Sequence, residues 1–188
     1  MTKKEYILDI AEDLFNDFGY TSVGVDLIRD KAGVSKTSMY RYFGSKNKLI
    51  EAVLARRHQR FADGLNAAVS SAKDMEGRLD AILSWHFAWF RLANFKGCMF
   101  MHALAEFKGM DEMISKSASQ HKIWLKSLLI AIFEPSQQDI AQKAETIMTF
   151  LEGMIVRAEF SDVTGYEEIY RLGAKTLAST NLKTADYD

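Results

Sequence analysis

Proline, cysteine and long apolar runs are all scarce in this sequence. One proline and 11 glycines among 188 residues are too few turn residues for a β-sandwich or β-barrel. A single cysteine cannot form an intramolecular disulfide, so nothing indicates an oxidising compartment. The most apolar window, residues 79–95, is interrupted by Asp80, His86 and Arg91 and is too short for a membrane-spanning helix. The first ten residues also lack the apolar run of a signal peptide. These absences predict a soluble, cytoplasmic protein without a membrane partner.

The apolar residues recur at the spacing of α-helices along most of the chain. Hydrophobic residues make up 48% of the sequence and charged residues 26%, which excludes a disordered chain. Gly19 and Gly33 stand where the first two periodic stretches end, and Ser35 is a good N-cap for a third. The pattern predicts an all-α protein with helices over residues 3–18, 25–32, 36–42, 46–70, 76–94, 98–107, 111–133, 136–160 and 166–179. The predicted core of the first three helices consists of Ile7, Ala11, Leu14, Phe18, Ile28, Val34, Met39 and Phe43.

Positive charge is concentrated near the start of the chain. The whole chain has a net charge of −1, with 24 Lys and Arg against 25 Asp and Glu. Residues 29–60, however, contain nine basic residues and only Asp30 and Glu51 as acidic ones. A basic segment in a nearly neutral chain indicates a polyanionic partner, although such segments also occur as solvated surfaces. Solvated, exposed charges are predicted for Arg56, Arg57 and Arg60.

The segment from Ala32 to Phe43 is the most informative about function. A short helix, a turn at Gly33 and a second short helix have the arrangement of a helix-turn-helix. In that motif the second helix enters the major groove of DNA, where its N-terminal residues contact the bases. This helix and the start of the next carry basic, hydroxyl and phenol groups that suit phosphates and base edges. The predicted DNA-binding residues are Ser35, Lys36, Thr37, Ser38, Tyr40, Arg41, Tyr42, Lys46 and Lys48.

This part of the sequence resembles the TetR family of bacterial transcriptional regulators. The similarity covers residues 5–50 and lies in Gly19-Tyr20, Ala32-Gly33-Val34-Ser35-Lys36, Tyr40, Tyr42-Phe43 and Ser45-Lys46 with Leu49. Weaker matches to the AcrR-like branch of that family are Lys96–Phe100, Ala105–Phe107 and His121-Lys122. The sequence departs from the family pattern at Val23-Gly24, where Ser or Thr often opens the second helix, and at Thr37 and Ser38.

The resemblance implies a domain organisation and two partners. It implies a helix-turn-helix DNA-binding domain over residues 1–46, followed by a helical-bundle domain over residues 47–188 that binds an effector and dimerises. A homodimer would bind a double-stranded DNA operator, and a small-molecule effector typically releases the DNA.

The last two predicted helices offer a surface for dimerisation. Small and branched residues in the final helix permit close helix approach, and the helix before it has a wide apolar stripe over residues 140–158. The final-helix residues concerned are Ile169, Gly173, Ala174, Leu177 and Ala178. Together the two helices predict a four-helix interface across a two-fold axis. The alternative is that both faces pack within one chain.

Large aromatic side chains occupy several faces of the predicted helix over residues 76–94. Such a helix is either a central core helix or one wall of a ligand cavity. Methionine and aromatic walls accommodate varied apolar ligands, and a few polar groups orient them. The predicted effector-binding residues are Trp85, His86, Trp89, Phe90, Met99, His102, Glu106, Phe107, Trp124, Phe150, Met154 and Arg157.

Catalytic and metal-binding patterns are poorly represented. Cys98, His102 and Glu106 can share one helix face, but no established metal motif accompanies them, so we expect neither a metal nor a cofactor. No nucleophile–base pair or glycine-rich phosphate loop is recognisable, so an enzyme is not expected. The resulting hypothesis is a ligand-responsive transcriptional regulator, more specifically a repressor of a palindromic operator. The alternative is a helical carrier or enzyme that uses the aromatic cavity, and retention on DNA at low salt distinguishes the two.

Overall fold

A computed structural model describes residues 2–180 of the chain, and these residues form helices and turns without a β-strand. The predicted all-α fold class is thereby confirmed. The helices are α1 (Lys3–Phe18), α2 (Val25–Ala32), α3 (Lys36–Phe43), α4 (Lys46–Ser70), α5 (Met75–Phe90), α6 (Met99–Phe107), α7 (Glu112–Ala131), α8 (Ile140–Phe160) and α9 (Glu167–Ser179), with a 3₁₀ turn at Thr164–Tyr166.

Two predicted helix boundaries differ from the structure by several residues. The helix predicted over 136–160 begins at Ile140, because Asp139 has left-handed backbone dihedral angles that interrupt a helix. The preceding residues form a turn in which the Gln137 amide donates to the Glu134 carbonyl at 2.9 Å. The helix predicted over 76–94 ends at Phe90. The residues after Phe90 form turns and do not continue the helical hydrogen-bond pattern.

The chain divides into two compact units. The first comprises the described residues up to Phe61 together with Cys98–His121, and the second comprises Ala62–Gly97 and the described residues from Lys122 onwards. Helix α6 and half of α7 therefore pack with the helix-turn-helix segment. This division is based on packing, whereas the predicted boundary between residues 46 and 47 separates a DNA-binding from an effector-binding function. The predicted boundary therefore stays a prediction.

The first unit has a core that the helical pattern of α1 predicts in large part. Six of the predicted core residues are buried, namely Ile7, Ala11, Leu14, Ile28, Met39 and Phe43, and Val34 is half-buried. The prediction for Phe18 was wrong, because this side chain is 61% exposed. It lies at the last position of α1, and the chain turns away at Gly19. Tyr20, which follows that turn, is fully buried instead, with its ring centroid 5.2 Å from that of Phe15.

The second unit is built around α5, with α8, α9 and the second half of α7 packed against it. Leu79, Leu83 and Phe87 of α5 are fully buried. They form one apolar cluster with residues of the other helices, among them Leu129, Ile147, Leu151 and Ala174. Within residues 2–180, no helix combines the length and the hydropathy that crossing a membrane requires.

Candidate nucleic-acid interface and effector site

The turn between α2 and α3 sets the geometry of the helix-turn-helix. Gly33 adopts a left-handed conformation (φ 61°), and its amide donates to the carbonyls of the last turn of α2, so the chain reverses without a Cβ penalty. Ser35 then caps α3, because its hydroxyl accepts from the Ser38 amide at 3.1 Å. Ile28 of α2 and Met39 of α3 are buried. The remaining faces of α3 therefore point outward.

Helix α3 presents most of the predicted DNA contacts to solvent. Ser35, Lys36, Thr37, Tyr40 and Arg41 are exposed, whereas Ser38 and Tyr42 are half-buried. The Lys36 ammonium lies 3.7 Å from the Asp26 carboxylate, an exposed pair that contributes little to stability. The Arg41 guanidinium lies 5.4 Å from the centre of the Tyr42 ring, which orders the arginine by a cation–π contact. Apart from the Tyr40 ring, the exposed side chains of this helix are polar or basic and suit the polar surface of a DNA groove.

The start of α4 adds Lys46 and Lys48 to this surface. The Lys48 amide donates to the Ser45 hydroxyl at 3.1 Å, and its ammonium pairs with Glu51 at 2.8 Å. The Lys46 ammonium donates to the Thr21 carbonyl at 3.2 Å. Burial lowers the pKa of Lys46, although the nearby Glu106 carboxylate acts in the opposite direction. Lys46 is therefore held against the turn that precedes α2.

Arg56 and Arg57 of α4 are not the solvated charges that the sequence predicted, whereas Arg60 is exposed as predicted. Arg56 and Arg57 are largely buried, and both donate to the Glu12 carboxylate, at 2.9 and 3.0 Å. Arg60 pairs with the same carboxylate. Glu12 is only 6% exposed, so this cluster links α1 to α4 inside the first unit. The prediction failed because a single buried carboxylate on α1 leaves no recognisable pattern in the α4 sequence.

The predicted effector-binding residues are divided between the two units. Trp85, His86, Trp89, Phe90, Trp124, Phe150, Met154 and Arg157 belong to the second unit, and Met99, His102, Glu106 and Phe107 belong to the first. In the second unit, His86, Trp89 and Met154 are buried, whereas Arg157 is exposed on α8. The predicted ligand role of the whole set stays a prediction.

His86 lies in an aromatic cluster of the second unit. Its ring centroid is 5.4 Å from that of Trp85 and 6.2 Å from those of Trp89 and Phe90. Burial lowers the pKa of His86 to about 4, and the Lys122 ammonium acts in the same direction. Its Nδ1 atom lies 2.8 Å from the Ile82 carbonyl. Because a carbonyl only accepts, Nδ1 carries the proton of the neutral ring and Nε2 is an acceptor.

An open cleft of about 480 Å³ lies at the end of α8 in the second unit. Its lining residues are Phe90, Arg91, Ala158, Glu159, Phe160, Ser161, Asp162, Val163 and Thr164. Of the residues predicted from the sequence to bind an effector, Phe90 lines this cleft. The predicted aromatic cavity itself stays a prediction.

Glu106 of α6 contacts the turn between α1 and α2. Its carboxylate accepts from the Tyr20 amide at 3.0 Å and from the Thr21 amide at 2.6 Å. The Tyr20 hydroxyl donates to the Met99 carbonyl at 2.9 Å, and burial raises the pKa of Tyr20 far above its ordinary value. The sequence identified Tyr20 only through the family resemblance. It did not indicate that Glu12 pairs with the arginines of α4.

Comparison with known proteins identifies the first unit. Residues 7–53 match the family model described as "Bacterial regulatory proteins, tetR family". The chain is 36% identical over 85 residues to the HTH-type transcriptional activator FasR of Mycolicibacterium smegmatis. These 85 residues make up 45% of this chain and 39% of that protein. Over 52 residues it is 46% identical to the HTH-type transcriptional regulator RutR of Escherichia coli, 28% of this chain and 24% of the relative. The matched part thus spans two fifths or less of these relatives' lengths.

The fold of nearly the whole chain is similar to that of solved structures. A TetR-family transcriptional regulator from Streptomyces coelicolor superposes with a TM-score of 0.86 at 22% sequence identity, covering 94% of both chains. At this identity the likeness concerns the fold. The predicted assignment to the AcrR-like branch stays a prediction. Residues 7–53 thus match the TetR family of bacterial regulatory proteins, and the fold of the described chain is similar to that of a TetR-family structure.

Proposed function

We propose that this protein is a dimeric transcriptional repressor that binds a palindromic DNA operator and is released from it by a small molecule. The observation that carries this proposal is the capped, solvent-facing helix α3, which follows the left-handed turn at Gly33. Its exposed Lys36, Tyr40 and Arg41 supply the donor groups that phosphates and base edges require. A carrier has no use for such a surface.

The last two helices support a dimer. Phe160 at the end of α8 is 81% exposed, and Ile169 and Leu172 of α9 are 65% and 68% exposed. Exposed apolar side chains on adjacent helices are typical of interaction sites. A two-fold axis through this surface would place one α3 helix on each half of a palindromic site.

The sign of regulation and the DNA site are tested together. DNA fragments retained by the purified chain are selected from genomic DNA, and a reporter gene is placed downstream of the recovered site. We expect a two-fold symmetric site and lower reporter expression when the chain is present. Higher expression would make the protein an activator, and a chain that retains no duplex at low salt would contradict the proposed function.

Replacing Lys46 by alanine is expected to weaken binding to the selected operator and to unrelated duplexes by the same factor. A phosphate contact carries no sequence information, and its loss should reduce the slope of log K against log salt by about 1. Fluorescence anisotropy at several salt concentrations measures this slope. Lys73→Ala, in the second unit, removes the same charge and should leave the slope unchanged. An unchanged slope in Lys46→Ala with an intact fold would exclude the phosphate contact.

Replacing Leu172 by glutamate is expected to weaken dimerisation by at least about tenfold, which corresponds to roughly 1.4 kcal/mol. The substitution introduces a charge into each copy of a symmetric apolar surface, so two carboxylates are desolvated together. Sedimentation equilibrium measures the dimerisation constant. Leu92→Glu changes an exposed leucine outside the last two helices and serves as the control. Equal dimerisation constants for the two variants would place the interface elsewhere.

A further inference from the structure

The segment between α1 and α2 is held by contacts from two other helices. The Glu106 carboxylate of α6 accepts from both the Tyr20 and Thr21 amides, at 3.0 and 2.6 Å. The Tyr20 hydroxyl donates to the Met99 carbonyl at 2.9 Å. From the other side, the Lys46 ammonium at the start of α4 donates to the Thr21 carbonyl at 3.2 Å. Four hydrogen bonds therefore converge on two consecutive residues.

The backbone of this turn explains why a carboxylate is required. Gly19 has a φ of 79° and ends α1, so the following two amides point away from the helix and need acceptors of their own. One carboxylate offers two acceptor oxygens at the right separation, and each bond to it is charge-assisted. A Cβ atom at Gly19 would lie 3.1 Å from the Glu106 Oε1 atom, which shows how closely the carboxylate approaches the turn.

Glu106 is ionised in this arrangement. Burial acts to raise its pKa, but the hydrogen bonds from Thr21 and Tyr20 and the Lys46 charge outweigh it, and the net result is a lowered pKa. A negative charge is therefore held within the unit that carries α3, beside a lysine predicted to contact DNA phosphates. Simple electrostatics makes such a charge unfavourable for binding DNA.

We propose that Glu106 is a positioning residue for operator binding. By holding the amides of Tyr20 and Thr21, it keeps the α1–α2 turn, and through it Lys46, in the arrangement that fits the operator. If the turn is released, only a fraction of the molecules has this arrangement, and the apparent Kd rises by the inverse of that fraction. This inference rests on the proposed function and replaces the predicted effector contact of Glu106.

The test asks whether Glu106→Gln strengthens or weakens DNA binding. Glu106→Gln removes one negative charge and leaves one acceptor oxygen for two amides. If Glu106 acts only through its charge, this variant binds DNA more tightly than the wild type. If Glu106 positions the turn, the variant binds the selected operator about tenfold more weakly, the factor that corresponds to losing roughly one charge-assisted hydrogen bond. Glu112→Gln, at the start of α7 in the same unit, makes the same change in net charge and is expected not to weaken binding.

Three measurements on the full-length chain decide the matter. Anisotropy titration with the fluorescein-labelled selected duplex gives the Kd, urea unfolding gives the stability, and hydrogen exchange reports on the Tyr20 and Thr21 amides. Faster exchange of these amides together with a raised Kd supports the proposal. A Glu106→Gln variant that unfolds at the wild-type urea concentration and binds at least as tightly as the wild type overturns it.

A shorter carboxylate serves as the rescue variant. Glu106→Asp keeps the charge and both oxygens, so its Kd should lie between those of the wild type and Glu106→Gln. If Glu106→Gln does not fold, Glu106→Asp decides alone: faster exchange at Tyr20 and Thr21 with an unchanged Kd overturns the proposal. Failure of the wild-type chain to bind the duplex would instead refute the proposed function, and the inference with it.

Discussion

Replacement of Glu12 by glutamine is expected to lower the free energy of unfolding by about 3 kcal/mol, because removing one partner of a buried ion pair leaves the other charge uncompensated. The Glu12 carboxylate is 6% exposed and accepts from three arginines of α4, of which Arg57 has a side chain only 13% exposed. A glutamine of the same shape keeps one acceptor oxygen but no charge. Arg57 would then remain largely buried without a counter-charge, whereas Arg56 keeps its ion pair with Asp9 at 2.7 Å.

Urea denaturation followed by circular dichroism measures this loss. Asp13→Asn is the matched control, since it removes a neighbouring carboxylate of α1 that is mostly exposed, and surface substitutions usually change stability by less than about 0.5 kcal/mol. Arg57→Met in the Glu12→Gln background should recover part of the loss, because it removes the charge left without a partner. Equal midpoints for Glu12→Gln and Asp13→Asn would show that the cluster does not stabilise the fold.

Acidification from pH 6.5 to pH 4 is expected to remove roughly 3 kcal/mol of stability through His86 alone, since each pH unit between the folded and unfolded pKa values is worth about 1.4 kcal/mol. Burial holds the pKa of His86 at about 4 in the folded chain, against an ordinary value of 6.5. The unfolded state therefore binds a proton first as the pH falls. The contribution is fully present above pH 6.5, declines through this interval and is absent below pH 4.

Comparison with His86→Phe isolates this contribution from that of other histidines. The free energies of unfolding of both proteins are measured between pH 4 and pH 8, and the difference between them is plotted against pH. Because phenylalanine does not titrate, the wild type should lose stability relative to the variant as the pH falls from 6.5 to 4. Parallel curves would mean that His86 titrates alike in the folded and unfolded states.

Local sequence patterns predicted the helix-turn-helix segment well. Gly33 and Ser35 act through their own backbone and the next few residues, so a left-handed turn and an N-cap can be recognised from neighbours in the chain. The exposure of Lys36, Tyr40 and Arg41 likewise follows from helical periodicity on a short helix. The ligand-binding prediction joins residues of α5 and α6, which lie in different compact units, and it stays a prediction.

The sequence by itself determined the helical class, the helix-turn-helix and the resemblance of residues 5–50 to the TetR family, because each depends on side chains and glycines a few residues apart. Only the tertiary structure showed that Glu12 pairs with Arg56 and Arg57, and that Glu106 accepts from the turn after α1. These contacts join residues 44 to 86 positions apart. A single charged residue carries no periodic pattern, and its partner is chosen by the packing of whole helices rather than by its neighbours in the chain.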